Sequence, residues 1–321
     1  MEIISKTTEF HIEEPTAVAI GKFDGVHLGH RRILRALTEQ KARGLRSAVF
    51  TFDPSPAVFF SGGQAKELCS REEKRRLFNR LGVEVLVEFP MNAQTAATPP
   101  EDFVRRILTA QMQARFIAAG SDLSFGERGA GNFALLRKLA PECGYTSQTI
   151  RKVKVNGEEV SSTRIRALVE EGNMEAAAAM LGEPYHILGP IAHGNEIGRT
   201  IGVPTINQLP EAGKLLPPFG VYYSEVEIAG RVYPGMTNIG VKPTIGRRPG
   251  EQERRVTAET YLYDYSGDLY GKEALTSILT FRRPERRFSG LEELRETMEQ
   301  DLAAGRRYHR IDGGRAAKER P

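Results

Sequence analysis

The feature that most limits how this chain can fold is a change of hydrophobic period near Gly182. Upstream of it, "TAVAIG", "RSAVFTFDP", "VEVLVEFP" and "RFIAAG" are rich in β-branched and aromatic residues and stop at Gly or Pro, which predicts buried strands. Between them, "RRILRALTEQKARG", "REEKRRLFNRLG" and "PEDFVRRILTAQMQA" repeat apolar residues at spacings of three and four, which predicts amphipathic helices. Alternation of this kind predicts a parallel sheet with helices on both faces and ligands beyond the carboxyl ends of the strands. After "MLGEPY" the pattern becomes strand upon strand. "GVYYSEVEIAGRVYPGMTNIG" reads as two strands about a turn at Ala229-Gly230, and "RVTAETYLYDY" and "ALTSILTF" continue in strand composition. The second half is therefore expected to be mainly antiparallel, a small barrel or Greek key closed by the helix "SGLEELRETMEQDLAAG". The boundary is predicted at Tyr185, giving domains of residues 1–185 and 186–321.

Composition narrows the function classes. No apolar run approaches the roughly 18 residues of a membrane span, and the start, "MEIISKTTEFHIEEP", carries acids where a secretory signal needs an apolar block, so a cytoplasmic protein is expected. Cys69 and Cys143 have no CxxC spacing and read as isolated thiols. The basic balance is local: Gly305 to Pro321 holds six Arg and Lys against two acids, which equals the whole chain's formal excess of +4. Such a tail reads as a solvated terminus, and without an RNP, zinc-finger or KH pattern no nucleic-acid partner is expected.

Two segments carry chemistry. In "AIGKFDGVHLGH" a strand runs into a Gly-rich turn that opens a helix near His30. Gly21, Gly25 and Gly29 let the backbone approach a ligand, and the exposed amides with the helix dipole attract an anion. His27 and His30, three residues apart, can both donate to phosphate oxygens. Taken alone the motif fits a pair of local turn histidines equally well. In "VSSTRIRALVEEG" the hydroxyls of Ser161, Ser162 and Thr163 precede a helix bearing Arg164 and Arg166. Simple capping explains the hydroxyls but does not call for the arginines, and together they form a second anion grip suited to a triphosphate.

This pairing resembles the HIGH/KMSKS-type nucleotidyltransferases. "GRTIGVPTINQ" and "TAETYLYDYSGDLYG" in turn resemble the riboflavin kinase signature, usually written PTAN. With "FDGVHLGH", "TFDPSP", "AGSDLSFG", "SSTRIR", "LGEPY", "GVYYS", "TNIGVKPT" and "FRRPERRF", nearly the whole chain is similar to the prokaryotic bifunctional riboflavin kinase/FAD synthetases. The resemblance implies a Rossmann-like α/β nucleotidyltransferase domain followed by a mainly β riboflavin-kinase barrel. It implies that riboflavin is phosphorylated to FMN and FMN adenylylated to FAD, each with Mg²⁺ and ATP. A chain retaining one activity, or a non-catalytic flavin- or RNA-binding regulator on the same folds, are the alternatives.

The resemblance also implies roles. Glu259 is the base for the ribityl hydroxyl, and Thr205 and Asn207 hold Mg²⁺ and the ATP phosphates. His27, His30 and Arg166 stabilise charge at the α-phosphorus of ATP as the FMN phosphate attacks. ATP is expected to contact Gly21, Phe23, Asp24, Gly25, Ser161, Ser162 and Thr163 in the first half and Gly198, Arg199 and Gly202 in the second. For Asp24 a purely architectural role in the turn has equal weight. Asp122 and Phe125 fall in the flavin-side segment. The chain departs from the family at Ser55, where many relatives carry His, at Leu123 and Ser124, and at Ile206 within PTIN. If that segment is extended, Ile206 points away from Thr205 and Asn207. The implied partners are small-molecule substrates, and the implied state is a monomer or weak homo-oligomer.

Overall fold

The computed structural model describes residues 1–192, 203–242, 255–286, 288–311 and 318–319. It divides into two compact units, Met1–Ser162 and Thr163–Pro321. The first unit is built on six strands: β1 (Glu2–Ser5), β2 (Thr16–Ile20), β3 (Arg46–Asp53), β4 (Val85–Pro90), β5 (Ala114–Gly120) and β6 (Thr146–Ile150). All pair in parallel, in the order β1-β4-β3-β2-β5-β6. The four strands expected from the sequence are β2 to β5. The two unforeseen ones, β1 and β6, lie at the edges and are half or more exposed, so neither carries an apolar run.

Alternation along the central strands feeds two cores. Val18, Ile20, Phe50, Val85, Val87 and Ile117 pack with residues of the helical turns at Phe103–Gln111 and the helix Phe133–Cys143. Their neighbours Ala17, Ala19, Val49, Leu86, Phe116 and Ala118 face the other way, against the helices Leu28–Thr38 and Arg71–Arg80. Burial on both faces is what a run such as "TAVAI" requires, since every one of its residues is buried. The chain leaves β2 for β3 on one side and later returns to β5 on its other side, so the strand order reverses at β2. In open α/β sheets ligands bind at such a point. A small hairpin of β7 (Lys154–Val155) and β8 (Glu158–Glu159) follows the sheet.

The second unit opens at Thr163, in the helix Ser162–Glu170, and continues with the helix Met174–Leu181, upstream of the expected boundary at Tyr185. Its strands are β9 (Tyr185–Ala192), β10 (Thr205–Gln208), β11 (Gly220–Ile228), β12 (Arg231–Lys242), β13 (Arg255–Leu262) and β14 (Glu273–Pro284). They pair antiparallel in the order β11-β14-β9-β10-β13-β12, and β11 also pairs with β12, which closes a six-stranded barrel. The expected turn joins β11 to β12. Ala229 and Gly230 both take positive φ, 48° and 79°, the type I′ geometry that matches strand twist.

Part of the barrel's buried surface is polar and internally satisfied. Fully buried Thr237 bonds to Ser224 at 2.7 Å and to Thr260 at 2.8 Å. Gln208, also fully buried, donates to the carbonyls of Gly189 and Ala274 and accepts from the Thr276 hydroxyl at 2.5 Å. The closing helix runs from Leu291 to His309, with Glu292 and Glu293 in its first turn and Arg306 and Arg307 in its last, each matched to the helix dipole. Of the basic tail beyond Ile311, only β15 (Lys318–Glu319) is described, paired antiparallel with Arg231 and Val232 of β12.

Two candidate active sites

In the first unit the turn after β2 is held in a strained conformation. Phe23, Gly25 and Val26 all have positive φ, and Val26, β-branched and fully buried, is at 39°. Three anchors keep it there. The Phe23 ring meets Phe78 edge-on at 5.5 Å and His30 at 5.1 Å. The buried Asp24 carboxylate accepts from the amides of Leu68 at 2.8 Å and Cys69 at 3.3 Å. The Ser162 hydroxyl donates to the Asp24 carbonyl at 2.8 Å, bringing the "SST" segment onto the turn. Asp24 therefore has at least the architectural role.

The helix starts at Leu28, two residues before the expected place, because His27 is its N-cap: the imidazole Nδ1 accepts from the His30 amide at 3.3 Å. A neutral ring accepting at Nδ1 carries its proton on Nε2. His27 and His30 stack at 3.7 Å with 14° between their planes. Gly29 leaves room for that stack, since a Cβ there would press on the His27 ring at 3.1 Å. Burial pushes the His27 pKa down to about 4, against the opposing pull of Asp122. Burial, then His27 and Lys74, hold His30 well below the ordinary histidine range. Both rings are thus neutral near pH 7. The buried His30 Nδ1 has no hydrogen-bond partner among the described residues.

Arg166 lies one turn into the helix that begins at Ser162, and with Thr163 it packs in the second unit. Asp122 is mostly exposed and paired with Lys152 at 3.8 Å. Phe125 instead lines a cavity of about 330 Å³ with Phe52, Phe89, Met91, Phe103 and Ser124. Apart from Phe125, the sequence reading missed this aromatic wall. Its signal was an aromatic residue at the ends of both β3 and β4, "TFDP" and "VEFP". Ser55 caps the short helix Pro56–Phe60, its hydroxyl accepting from the Val58 amide, and Leu123 packs on the core.

In the second unit, register builds the site. Asn207 of β10 and Asn238 of β12 both lie directly opposite Glu259 of β13, so the three side chains share one face in a row. Thr205 stands two residues along that face, opposite Tyr261. Ile206 points to the other face, against the cluster of Ile191, Val226 and Leu262, as its alternate position demands. Thr257 donates to the Glu259 carboxylate at 3.5 Å. Thr205, Asn238, Glu259 and Tyr261 line a cavity of about 260 Å³ with Glu285, Phe288 and Met298. A second cavity of about 270 Å³ is lined by Pro204, Thr205, Tyr265, Leu269 and Tyr270. Thr205 belongs to both. Asn238, Glu285 and the apolar residues of the closing helix were missed, because their relation to Glu259 exists only through strand register and packing. Gly198, Arg199 and Gly202 lie outside the described residues.

The fold defines a two-domain protein, a parallel α/β unit followed by an antiparallel barrel, each with its own cavity. Residues 9–164 match the family model of FAD synthetase, and residues 181–309 match that of riboflavin kinase. The chain is 34% identical to the bifunctional riboflavin kinase/FMN adenylyltransferase of Listeria monocytogenes, covering 92% of this chain and 93% of that one. It is 33% identical to its counterpart in Bacillus subtilis, covering 96% and 98%. A solved structure described as a macrolide-efflux protein from Streptococcus pneumoniae superposes with a TM-score of 0.79 at 26% identity, over 95% of this chain and 98% of that one. No described helix of the present chain is long and apolar enough to cross a membrane. The chain belongs to the family of bifunctional riboflavin kinase/FMN adenylyltransferases.

Proposed function

We propose that this protein phosphorylates riboflavin to FMN and adenylylates FMN to FAD, with Mg-ATP as donor in both steps. We assign adenylylation to residues 1–185 and phosphorylation to residues 186–321. The observation that carries the reading is the register of β10 and β13, which sets Glu259 opposite Asn207 on a cavity face that also holds Thr205.

In the kinase site Glu259 accepts the proton of the primary ribityl hydroxyl as that oxygen bonds to the γ-phosphorus and the bond from that phosphorus to the β,γ-bridging oxygen breaks, releasing ADP. Thr205 supplies a hydroxyl oxygen and Asn207 an amide oxygen, donors that suit Mg²⁺. No group of three or more His, Cys, Asp or Glu gathers for a metal among the described residues, and hydroxyl and amide oxygens are the donors this site would offer the ion. Mg²⁺ offsets phosphate charge. Because Thr205 lines both cavities, the flavin is assigned to the cavity with Glu259 and the nucleoside of ATP to the cavity with Tyr265 and Tyr270.

In the adenylyltransferase site the nucleophile is an already ionised phosphate, so a strong base is not needed. His27 and His30, both neutral, serve as hydrogen-bond donors to the α-phosphate, and Arg166 adds positive charge. Phe125 and the aromatic wall around it hold the flavin ring, while Asp122, whose charge acts on His27, helps position FMN. ATP use in both steps fits a cytoplasmic protein with small-molecule partners and no nucleic-acid role, working as a monomer or weak homo-oligomer.

The test is incubation with riboflavin and Mg-ATP followed by separation of the flavins. FMN should appear first and FAD after it. Unchanged riboflavin would overturn the reading in favour of a binding protein.

A further inference from the structure

Beyond Glu259, the kinase cavity presents a second carboxylate whose seat is built into the sheet. Glu285 follows the end of β14, and its amide donates to the Phe219 carbonyl at 3.4 Å. Its carboxylate accepts from Asn238 at 3.4 Å, and Asn238 is the residue directly opposite Glu259. Two residues along the same face of β12 is Gly240, where an added Cβ would fall inside the van der Waals radius of the Glu285 carboxylate. Gly240 is not in a left-handed conformation, so the missing side chain serves space alone.

The cations nearby are already committed. Arg283 pairs with Asp301 at 2.7 Å and Arg286 with Glu293 at 2.9 Å, and no cation among the described residues pairs with Glu285. Glu285 is exposed at the cavity, and Asn238 alone among the described residues donates to its carboxylate. A carboxylate accepts only, so what it can recognise is a set of donors. The rest of that wall, Phe288, Leu294 and Met298, is apolar.

We propose that Glu285 is a specificity-determining residue of the kinase site, accepting hydrogen bonds from the secondary hydroxyls of a polyol chain whose terminal hydroxyl is presented to Glu259. The inference rests on the flavin-kinase reading above. Adjacent strands stand roughly 4.8 Å apart, so one short polyol reaches from the Glu259 strand to the carboxylate seated on the next. Phe288 and the apolar helix face take the ring to which such a chain is attached.

The experiment compares riboflavin with an analogue whose side chain keeps only the terminal hydroxyl, using the full chain. The unaltered protein should prefer riboflavin in kcat/KM by about tenfold or more, the usual worth of hydrogen bonds to a charged group. Glu285→Gln should narrow that preference to within about threefold, mainly by raising KM for riboflavin, and leave conversion of added FMN to FAD unchanged. Gly240→Ala should do the same by displacing the carboxylate, and if it does not fold, Glu285→Gln decides alone. A preference equal in the unaltered protein and Glu285→Gln would overturn the assignment. Phosphorylation of neither compound by the unaltered protein would instead remove the functional reading on which it rests.

Discussion

His27 does two jobs that its sequence position does not separate. As N-cap it accepts the His30 amide, and in the proposed chemistry it donates to phosphate. The capping job was illegible, because histidine is not among the preferred caps and only the fold shows Nδ1 turned to the backbone. Burial keeps His27 neutral down to about pH 4, whereas the unfolded chain takes up its proton near pH 6.5. Stability from this residue is therefore complete above about pH 6.5 and is lost as pH falls toward 4, by up to about 3 kcal/mol. His30 acts in the same direction. His27→Asn retains a good cap but not the titration. Thermal unfolding should then lose less stability between pH 6.5 and 4.5 than in the unaltered protein. FMN adenylylation at pH 7.5 should nevertheless fall on the order of 10²-fold. Undiminished adenylylation in that variant would reduce His27 to a cap.

At the scale of elements, β10 has only four residues yet carries both proposed magnesium donors. A slip of one residue would turn Thr205 and Asn207 to the buried face. Gln208 opposes that slip by bonding to Gly189, Ala274 and Thr276 from a fully buried position. Gln208→Leu should cost roughly 1–3 kcal/mol in urea unfolding, since it strands buried polar partners. Adding Thr276→Val, which removes one stranded hydroxyl, should recover part of the loss, and simple additivity would refute the pairing. The tetrad at β10 and the hairpin at Ala229-Gly230 were legible because each has a local signal, alternation in one and a turn residue in the other. Strands β1 and β6 were not, because an edge strand in a parallel sheet has no need of a buried run. Nor was the row of Asn207, Glu259 and Asn238, whose members come together from three strands.

For the whole molecule, two sites that share no assigned residue predict independent failures. Glu259→Gln should lower riboflavin phosphorylation roughly 10²–10⁴-fold, the usual share of general-base catalysis, while added FMN still becomes FAD. His30→Ala should cripple FAD formation by about 10²-fold or more while FMN accumulates from riboflavin. Loss of adenylylation in a folded Glu259→Gln protein would require one shared site. The two-part architecture was legible from the change of period near Gly182. The place of the division was not, because helical periodicity shows that a helix has a buried face without showing which sheet covers it.

That ambiguity has a practical consequence for anyone who wishes to make either half alone. Ser162 is bonded to the turn of the first unit, but the helices that follow, with Leu168, Val169, Met174 and Leu181 buried, pack as part of the second. A fragment ending at Ser162 discards Arg166. One ending at Tyr185 keeps Arg166 but leaves those apolar side chains in water, about 1.5–3 kcal/mol for each large one. The longer fragment should precipitate or bind a hydrophobic dye at concentrations where the intact chain does neither, and a freely soluble, fully active fragment of residues 1–185 would show that these helices have a home in the first unit. On this assignment the two activities should come apart by point mutation, although Arg166 of one site packs with the unit that holds the other.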